Sequence, residues 1–275
     1  MKAVLIAGGH GTRAKPFADY SPKSMIPIAG RPVIDHVVRY VAKFSQISDL
    51  IILCEFDSMG KQIINYFEGK EAIIGKPVTF VEDKKQGTGG ALLKIEGEVG
   101  ADERFLVWFA DNLCAVSLDD FIREYNGAYK TTNGRITALV AVRKQRVEET
   151  GRVVLDSEDS LQNKNDNDSK KTFLIKRFIE KGVVKLEQPE AIGVYLFNNI
   201  IFEYLHRTSH TQGGIFDLSH DVLERISTIG PELYSYILDE DTEWLDIESP
   251  SYADRHKDII EKILLQMHIA AIQQS

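Results

Sequence analysis

A glycine-rich run followed by two separated cations lies near the start of the chain, and these residue types suit the binding of a polyphosphate. Residues 7–32 read AGGHGTRAKPFADYSPKSMIPIAGRP, with Arg13 and Lys23 as the two cations. Glycines let a backbone wrap closely around phosphates and point several N–H groups at them. The planar guanidinium of Arg13 can bridge two phosphate oxygens, and Lys23, fixed after Pro22, adds a second charge. The pattern favours a bound nucleoside triphosphate over a tight turn with two solvated cations.

The same loop matches the spacing of a dinucleotide-binding fingerprint through Gly9, Gly11 and Ala14. Pro16 falls where the helix behind a pyrophosphate should already be running, and proline breaks a helix interior. An acidic residue about 20 positions further on should end a second strand, whereas the second apolar run ends only near Glu55. A P-loop would need a Gly-Lys-Ser/Thr sequence, which does not follow. The loop therefore fits neither of these alternatives.

Two aspartates from distant parts of the chain are candidates for fixed, functional carboxylates. Asp111 ends the apolar run FLVWFAD, and α/β proteins place ligands at that end of a strand. A turn or helix cap is the alternative for Asp111. Asp246 stands in an acidic segment of the kind that is usually a solvated surface. Its apolar neighbours Leu245 and Ile247 indicate instead that Asp246 is fixed and partly buried.

Apolar runs of strand length alternate with helical patterns, which predicts a mostly parallel sheet with helices on both faces. The predicted strands are 2–7, 49–56, 77–82, 104–110, 136–142, 152–156, 172–180, 191–197 and 233–238. The predicted helices are 34–44, 58–67, 118–129 and 252–274. The polar stretch 157–171 reads as a surface hairpin loop. We expect an α/β protein with one three-layer, Rossmann-like domain over residues 1–275, built on a central mixed, mostly parallel sheet.

Composition excludes several classes of protein. With 43% hydrophobic and 27% charged residues, the 275-residue chain is ordinary for a globular protein. A formal net charge of −8 argues against a protein that coats nucleic acid. No apolar run approaches the length of about 20 residues that a membrane span needs, and the first residues read as a strand rather than a signal peptide. Cys54 and Cys114 lie in apolar runs, so we expect buried free thiols in a reducing cytoplasm.

Taken together, the motifs resemble those of the sugar-phosphate nucleotidyltransferases, also called nucleotide-sugar pyrophosphorylases. The matching segments are GGHGTR, Pro16, PKSMIPIAGRP, QGTGGAL at 86–92, Asp111, FIEKG at 178–182, GVYLF at 193–197 and WLDIESP at 244–250. The resemblance implies transfer of a nucleoside monophosphate from a triphosphate to a hexose-1-phosphate, with release of pyrophosphate. The protein's partners would be these two small molecules, with no nucleic acid and no membrane. A homo-oligomer is compatible with the resemblance.

The resemblance also implies a role for each matching residue. Arg13 would bind the departing β- and γ-phosphates and Lys23 the α-phosphate, while Asp111 and Asp246 would hold Mg²⁺. The implied nucleotide-binding residues, in a half spanning about 1–135, are Ala7, Gly8, Gly9, Gly11, Thr12, Glu82, Gly87 and Thr88. The implied sugar-phosphate residues, in a half spanning about 136–275, are Gly151, Glu180 and Lys181. A plain turn is the alternative for Gly151.

Glu82, five residues before Gly87, is the residue from which we predict the base and the sugar of the substrates. A carboxylate can accept both the N1–H and the amino group of guanine, whereas an amide suits thymine or uracil better. This favours GTP and mannose-1-phosphate. A solvated Glu82 at the end of a strand, with dTTP or UTP and glucose-1-phosphate as substrates, is the alternative.

Four positions depart from the family pattern. Ala110 precedes Asp111 where the family often has glycine, Gly182 replaces the proline that usually follows Glu-Lys, and Glu248 and Ser249 replace Gly-Thr in Asp-Ile-Gly-Thr-Pro. Glu248 would put a carboxylate near anionic ligands, so its side chain either points outward or alters recognition of the sugar. It also leaves open a catalytically weak, nucleotide-sugar-binding paralogue that regulates a partner enzyme. The joint presence of Arg13, Lys23, Lys181 and the two aspartates argues against that alternative.

Overall fold

The computed structural model describes residues 1–9, 11–100, 104–144, 152–155, 172–179, 189–229 and 232–272. The strands in these ranges are β1 (Lys2–Ile6), β2 (Pro27–Ile28), β3 (Arg31–Pro32), β4 (Asp49–Cys54), β5 (Val78–Glu82), β6 (Arg104–Phe109), β7 (Asn112–Cys114), β8 (Ile136–Arg143), β9 (Arg152–Leu155), β10 (Thr172–Ile179), β11 (Glu190–Asn198), β12 (Glu232–Ile237) and β13 (Trp244–Asp246). The nine predicted strands are thus all found, with ends shifted by one or two residues.

The helices flank the strands in chain order. They are α1 (Val33–Ala42), α2 (Gly60–Phe67), α3 (Glu71–Ile74), α4 (Gly87–Leu93), α5 (Glu96–Val99), α6 (Leu118–Thr131), α7 (Ile201–Gln212), α8 (Glu224–Ile229), α9 (Pro250–Arg255) and α10 (Lys257–Ile272). A π-helical turn, Leu218–Leu223, leads into α8. Among the described residues, no helix has the length and apolarity needed to cross a membrane.

The central sheet has the order β5-β4-β1-β6-β11-β8-β12-β10-β9. Its described strands run in one direction except β10 and β11, which run against their neighbours. The prediction of a mixed, mostly parallel sheet is therefore confirmed. Helices cover both faces, with one buried apolar cluster around α1, α6 and α10 and a second around α4, α7 and α8. Strands covered on both faces explain the unbroken apolar runs, since each inward side chain contributes about 1.5–3 kcal/mol by leaving water.

The register of the parallel strands decides which residues meet at the edge of the sheet. Ile6 pairs with Leu53 on one side and with Phe109 on the other, and Leu53 pairs with Val81. These residues form one row near the carboxyl ends of β1, β4, β5 and β6. The loops that follow the four strands therefore begin side by side. The glycine run and Asp111 lie in these loops, and Glu82 is the last residue of β5.

Local structure differs from the predictions at two helices. The predicted helix 58–67 begins instead at Gly60, and Asp57 Oδ1 accepts hydrogen bonds from the backbone N–H groups of Met59, at 2.9 Å, and Gly60. The predicted helix 252–274 is divided at His256, which ends α9 before α10 begins. In α10, Ile260, Ile263 and Met267 are buried, so this helix packs against the core.

Candidate active site

Two short strands that the sequence did not predict bring Asp111 and Asp246 together. Asp111 directly follows β6 and precedes β7, and Asp246 is the last residue of β13. The strands β7 and β13 pair antiparallel, with Asp246 opposite Asn112. The backbone N–H of Ile247 donates to the carbonyl of Asp111 over 3.0 Å. This pairing explains why apolar residues flank Asp246, since its neighbours Leu245 and Ile247 are both buried.

The ammonium of Lys23 lies between these two carboxylates. Lys23 Nζ is 2.6 Å from Asp246 Oδ1 and 2.9 Å from Asp111 Oδ2. Burial alone would lower the pKa of Lys23, but the two adjacent carboxylates raise it well above its ordinary value. Burial and the neighbouring Asp111 raise the pKa of Asp246, against the opposing effect of Lys23. The cluster is thus a pair of carboxylates held together by one cation.

Arg13 approaches the same cluster from the glycine loop. Its Nη2 lies 3.9 Å from Asp246 Oδ2, and its Nη1 donates to the carboxylate of Glu248. The Arg13 side chain is 60% exposed, compared with 15% for Lys23. The two cations predicted from the sequence therefore converge on one cleft, one of them fixed and the other accessible to a ligand.

The glycine loop closes around a small cavity rather than leading into an α-helix. Six of its residues line a space of about 190 Å³ together with Lys23 and Asp111, namely Ala7, Gly8, Gly9, Gly11, Thr12 and Arg13. Thr12 begins a single 3₁₀ turn, and Gly11 before it has φ 52°, in the left-handed region that favours glycine. Gly8 packs so closely on the Asp83 carboxylate that a Cβ atom would collide with it. This backbone path is compatible with a wrapped phosphate chain and not with a dinucleotide fold.

A second cavity, of about 260 Å³, extends from the aspartates towards the start of the π-helical turn. Its lining includes Asp111, Asn112 and Asp246 together with Asp217 and Ser219. Asn112, Asp217 and Ser219 were not predicted from the sequence as cavity residues. The only local signal was that Asn112 follows Asp111, because Asp217 and Ser219 belong to a segment with no recognised motif.

Gly87 and Thr88, predicted to bind nucleotide, are held by the segment that carries Asp217. Gly87 has φ 75°, and a Cβ atom there would collide with the backbone carbonyl of Phe216. The Thr88 hydroxyl donates to Asp217 Oδ2 over 2.8 Å and accepts from the N–H of Leu218 over 2.8 Å. The Gly-Thr turn therefore has a structural role in fixing the wall of the second cavity, and nucleotide contact stays a prediction.

Glu82 ends the edge strand β5, two strands away from β1. Two strand spacings put it about 10 Å from the end of β1. Its side chain is 44% exposed and lies 3.6 Å from Lys84 Nζ. The neighbouring Asp83 is buried, and its Oδ1 accepts the backbone N–H of Lys85. An exposed carboxylate is available to a base, and this role of Glu82 stays a prediction.

The predicted sugar-phosphate residues Gly151, Glu180 and Lys181, together with Gly182, lie outside the described residues. Both cysteines are free and buried, as expected.

Residues 2–262 match the family model described as "Nucleotidyl transferase". The chain belongs to this family.

Among the proteins that resemble this chain are two curated relatives and one solved structure. The bifunctional protein GlmU of Methanococcus vannielii is 27% identical over 91% of the chain and 52% of its own length. A mannose-1-phosphate guanyltransferase of Debaryomyces hansenii is 25% identical over 91% of the chain and 62% of its own length. The chain thus spans about half the length of the first curated relatives it matches, 52% and 54%.

The structure of a UDP-glucose pyrophosphorylase complexed with UDP-glucose superposes with a TM-score of 0.71. It is 22% identical, and the match covers 95% of this chain and 98% of that one. At this identity the likeness concerns the fold, which is the predicted Rossmann-like α/β fold.

The donor atoms present fit a hard divalent cation. Asp111 and Asp246 offer carboxylate oxygens, which Mg²⁺ prefers, and both already hold the Lys23 cation between them. The described residues contain no group of three or more His, Cys, Asp or Glu side chains arranged for a metal. Of the described residues, Asp111 and Asp246 would be the ligands, and phosphate and water oxygens would complete the shell, as is usual for Mg²⁺ at a phosphate.

Proposed function

We propose that this protein is a sugar-1-phosphate nucleotidyltransferase, which transfers a nucleoside monophosphate from a nucleoside triphosphate to a hexose-1-phosphate. The observation that carries the proposal is the convergence of Lys23, Asp111 and Asp246, with Arg13 beside them. Three distant segments contribute these charges to one cleft. Membership of the nucleotidyl transferase family supports the same reaction.

The chemistry needs no general base. A phosphate monoester has a second pKa of about 6 and is largely dianionic at neutral pH. One of its oxygens bonds to the α-phosphorus of the triphosphate. The bond from that phosphorus to the oxygen bridging the α- and β-phosphates breaks, and its electron pair leaves with pyrophosphate. The main obstacle is repulsion between two anions, so catalysis depends on neutralising charge and aligning the groups.

The residues of the cleft are suited to this task. Arg13 would bind the β- and γ-phosphates, since its accessible planar guanidinium can contact two oxygens at once. Lys23 would neutralise the α-phosphate. Asp111 and Asp246 would hold Mg²⁺, which would lower the negative charge of the reacting phosphates when bound. The cavity between the aspartates and Asp217 is of a size to accept a sugar, at about 260 Å³.

For the substrates we propose GTP and mannose-1-phosphate. The exposed Glu82 carboxylate supports this choice, because it can accept both hydrogen atoms on the guanine edge. The same chemistry with UTP or dTTP and glucose-1-phosphate is the second candidate, and it is favoured by the likeness to a structure that contains UDP-glucose.

The test is a matrix assay of pyrophosphate release. GTP, UTP, dTTP and CTP are each combined with several hexose-1-phosphates in the presence of Mg²⁺. We expect release to need both substrates and to be fastest with GTP and mannose-1-phosphate. A clear preference for UTP or dTTP would contradict the guanine assignment alone. No release with any pair, while a nucleotide-sugar still binds, would indicate the regulatory paralogue instead.

A further inference from the structure

Glu248 is a residue at which this chain departs from the pattern Asp-Ile-Gly-Thr-Pro, because it places a carboxylate where that pattern has glycine. In the folded protein this carboxylate forms an ion pair with Arg13 and accepts a hydrogen bond from its Nη1. The Glu248 side chain is 24% exposed and that of Arg13 is 60% exposed. The contact is therefore open to a ligand that enters the cleft from solvent.

The guanidinium of Arg13 is engaged by acidic groups on both of its terminal nitrogens. Glu248 contacts Nη1, and Asp246 Oδ2 lies 3.9 Å from Nη2. An arginine binds phosphate through these same N–H groups. A phosphate oxygen that takes the Nη1 N–H now donated to Glu248 must therefore replace that carboxylate. Asp246 cannot play the same part, because it is also bound to Lys23.

We propose that Glu248 is a positioning residue that competes with the leaving pyrophosphate for Arg13. The inference rests on the proposed function, which assigns the β- and γ-phosphates to Arg13. In the empty site Glu248 holds Arg13 beside the cleft, and on binding the phosphates take its place. The competition weakens the binding of triphosphate and pyrophosphate alike, and return of Glu248 to Arg13 favours release of the product.

The size of the effect follows from the exposure of the pair. A solvent-exposed ion pair changes an equilibrium constant by a factor of about five at most. Replacing Glu248 by glutamine removes the charge and keeps the shape, and Glu248→Gly restores the residue of the family pattern. We expect both variants to bind pyrophosphate about threefold more tightly, with a lower KM for the triphosphate and a kcat that is unchanged or lower.

The experiment is a double-mutant cycle read by isothermal titration calorimetry with inorganic pyrophosphate and excess Mg²⁺. The four proteins are the unchanged chain, Glu248→Gln, Arg13→Ala and the double variant. The gain of about threefold should appear with Arg13 present and vanish in the Arg13→Ala background. Glu248→Asp should bind like the unchanged chain. Glu240→Gln, at an exposed position in the turn before β13, makes the same change in net charge and should show no gain.

Three results would overturn the proposal. Weaker pyrophosphate binding by Glu248→Gln in both backgrounds would indicate that Glu248 is itself a metal ligand. An equal gain in the Arg13→Ala background, or in Glu240→Gln, would indicate a general effect of charge. An unchanged affinity would indicate no competition at all. Because binding is measured without turnover, failure of the matrix assay to show any product is a separate result that concerns the proposed function.

Discussion

The ammonium of Lys23 lies 2.6 Å from Asp246 Oδ1, although 223 positions separate the two residues in the chain. Lys23 belongs to a 3₁₀ turn after the glycine loop, and Asp246 to the short strand β13. The second carboxylate, Asp111, is 2.9 Å from the same nitrogen. This arrangement leads to the first two of the predictions that follow.

Loss of either charge should abolish most of the activity. We expect Lys23→Ala and Asp111→Ala each to lower kcat by at least about a hundredfold, as is typical when a group that stabilises developing charge is removed. The measurement is pyrophosphate release, with circular dichroism as the check on folding. Lys61→Ala and Asp258→Ala change the same charges at exposed positions and should leave kcat close to that of the unchanged chain. Rates near normal in Lys23→Ala or Asp111→Ala would contradict the assignment.

Lys23 should also oppose metal binding in the absence of nucleotide. Its ammonium neutralises the carboxylates that would hold Mg²⁺, so Lys23→Ala should bind Mg²⁺ at least about tenfold more tightly. Titration calorimetry on the nucleotide-free protein measures this, and Lys61→Ala is again the control. An affinity that is equal or lower in Lys23→Ala would show that these carboxylates are not the metal ligands.

The base preference should depend on Glu82. Glu82→Gln removes an acceptor for the guanine edge and adds a donor, so we expect kcat/KM for GTP to fall by about tenfold or more while that for UTP rises. Competition between the two nucleotides in the pyrophosphate assay gives the ratio directly. Glu68→Gln, at an exposed position after α2, is the matched control. A GTP preference that survives the change would remove Glu82 from the base site.

Gly193 lies in β11 and lines the second cavity together with Asn112. Its φ is 74°, and a Cβ atom would collide with Nδ2 of Asn112, which donates to Ile192 O over 2.7 Å. Gly30 has a similar φ of 81° with open space around it. We expect Gly30→Ala to lower the free energy of unfolding by about 1 kcal/mol through backbone strain alone, and Gly193→Ala by about 2 kcal/mol more.

Urea denaturation of both glycine variants gives the two free energies. Activity should fall only in Gly193→Ala, because Asn112 adjoins Asp111. Equal destabilisation of the two variants would mean that the Asn112 contact contributes nothing beyond backbone strain.

Stability should decrease below about pH 6.5 because of His36. Burial lowers the pKa of His36 from its ordinary value of 6.5, while its Nε2 lies 2.8 Å from Ile28 O. The unfolded chain therefore binds a proton at a higher pH than the folded one, so stability is lost as the pH falls from 6.5 through the folded pKa.

Denaturation curves between about pH 5 and 7 test this expectation. His36→Gln should have a smaller slope of unfolding free energy against pH, whereas His268→Gln, at an exposed position of α10, should keep the slope of the unchanged chain. A slope unchanged in His36→Gln would assign the pH dependence to other groups.

Sequence periodicity and motifs predicted most of the sheet and the residues at its carboxyl edge. Unbroken apolar runs identified the strands because burial on both faces leaves no polar positions in them. Once β1, β4, β5 and β6 are parallel and in register, the glycine loop, Glu82 and Asp111 necessarily lie at one edge. Local sequence patterns therefore predicted which edge of the sheet carries the site and that its glycine loop is basic.

Only the tertiary structure decided which acidic groups meet which cations. The strands β7 and β13 have three residues each, too short to show a period, and their pairing depends on contacts between distant segments. That pairing brings Asp246 beside Asp111 and turns Glu248 towards Arg13. The second cavity likewise joins Asn112 to Asp217 and Ser219 from separate elements. Periodicity reports the burial of neighbouring residues, whereas these contacts arise from long-range packing, which has no local pattern in the sequence.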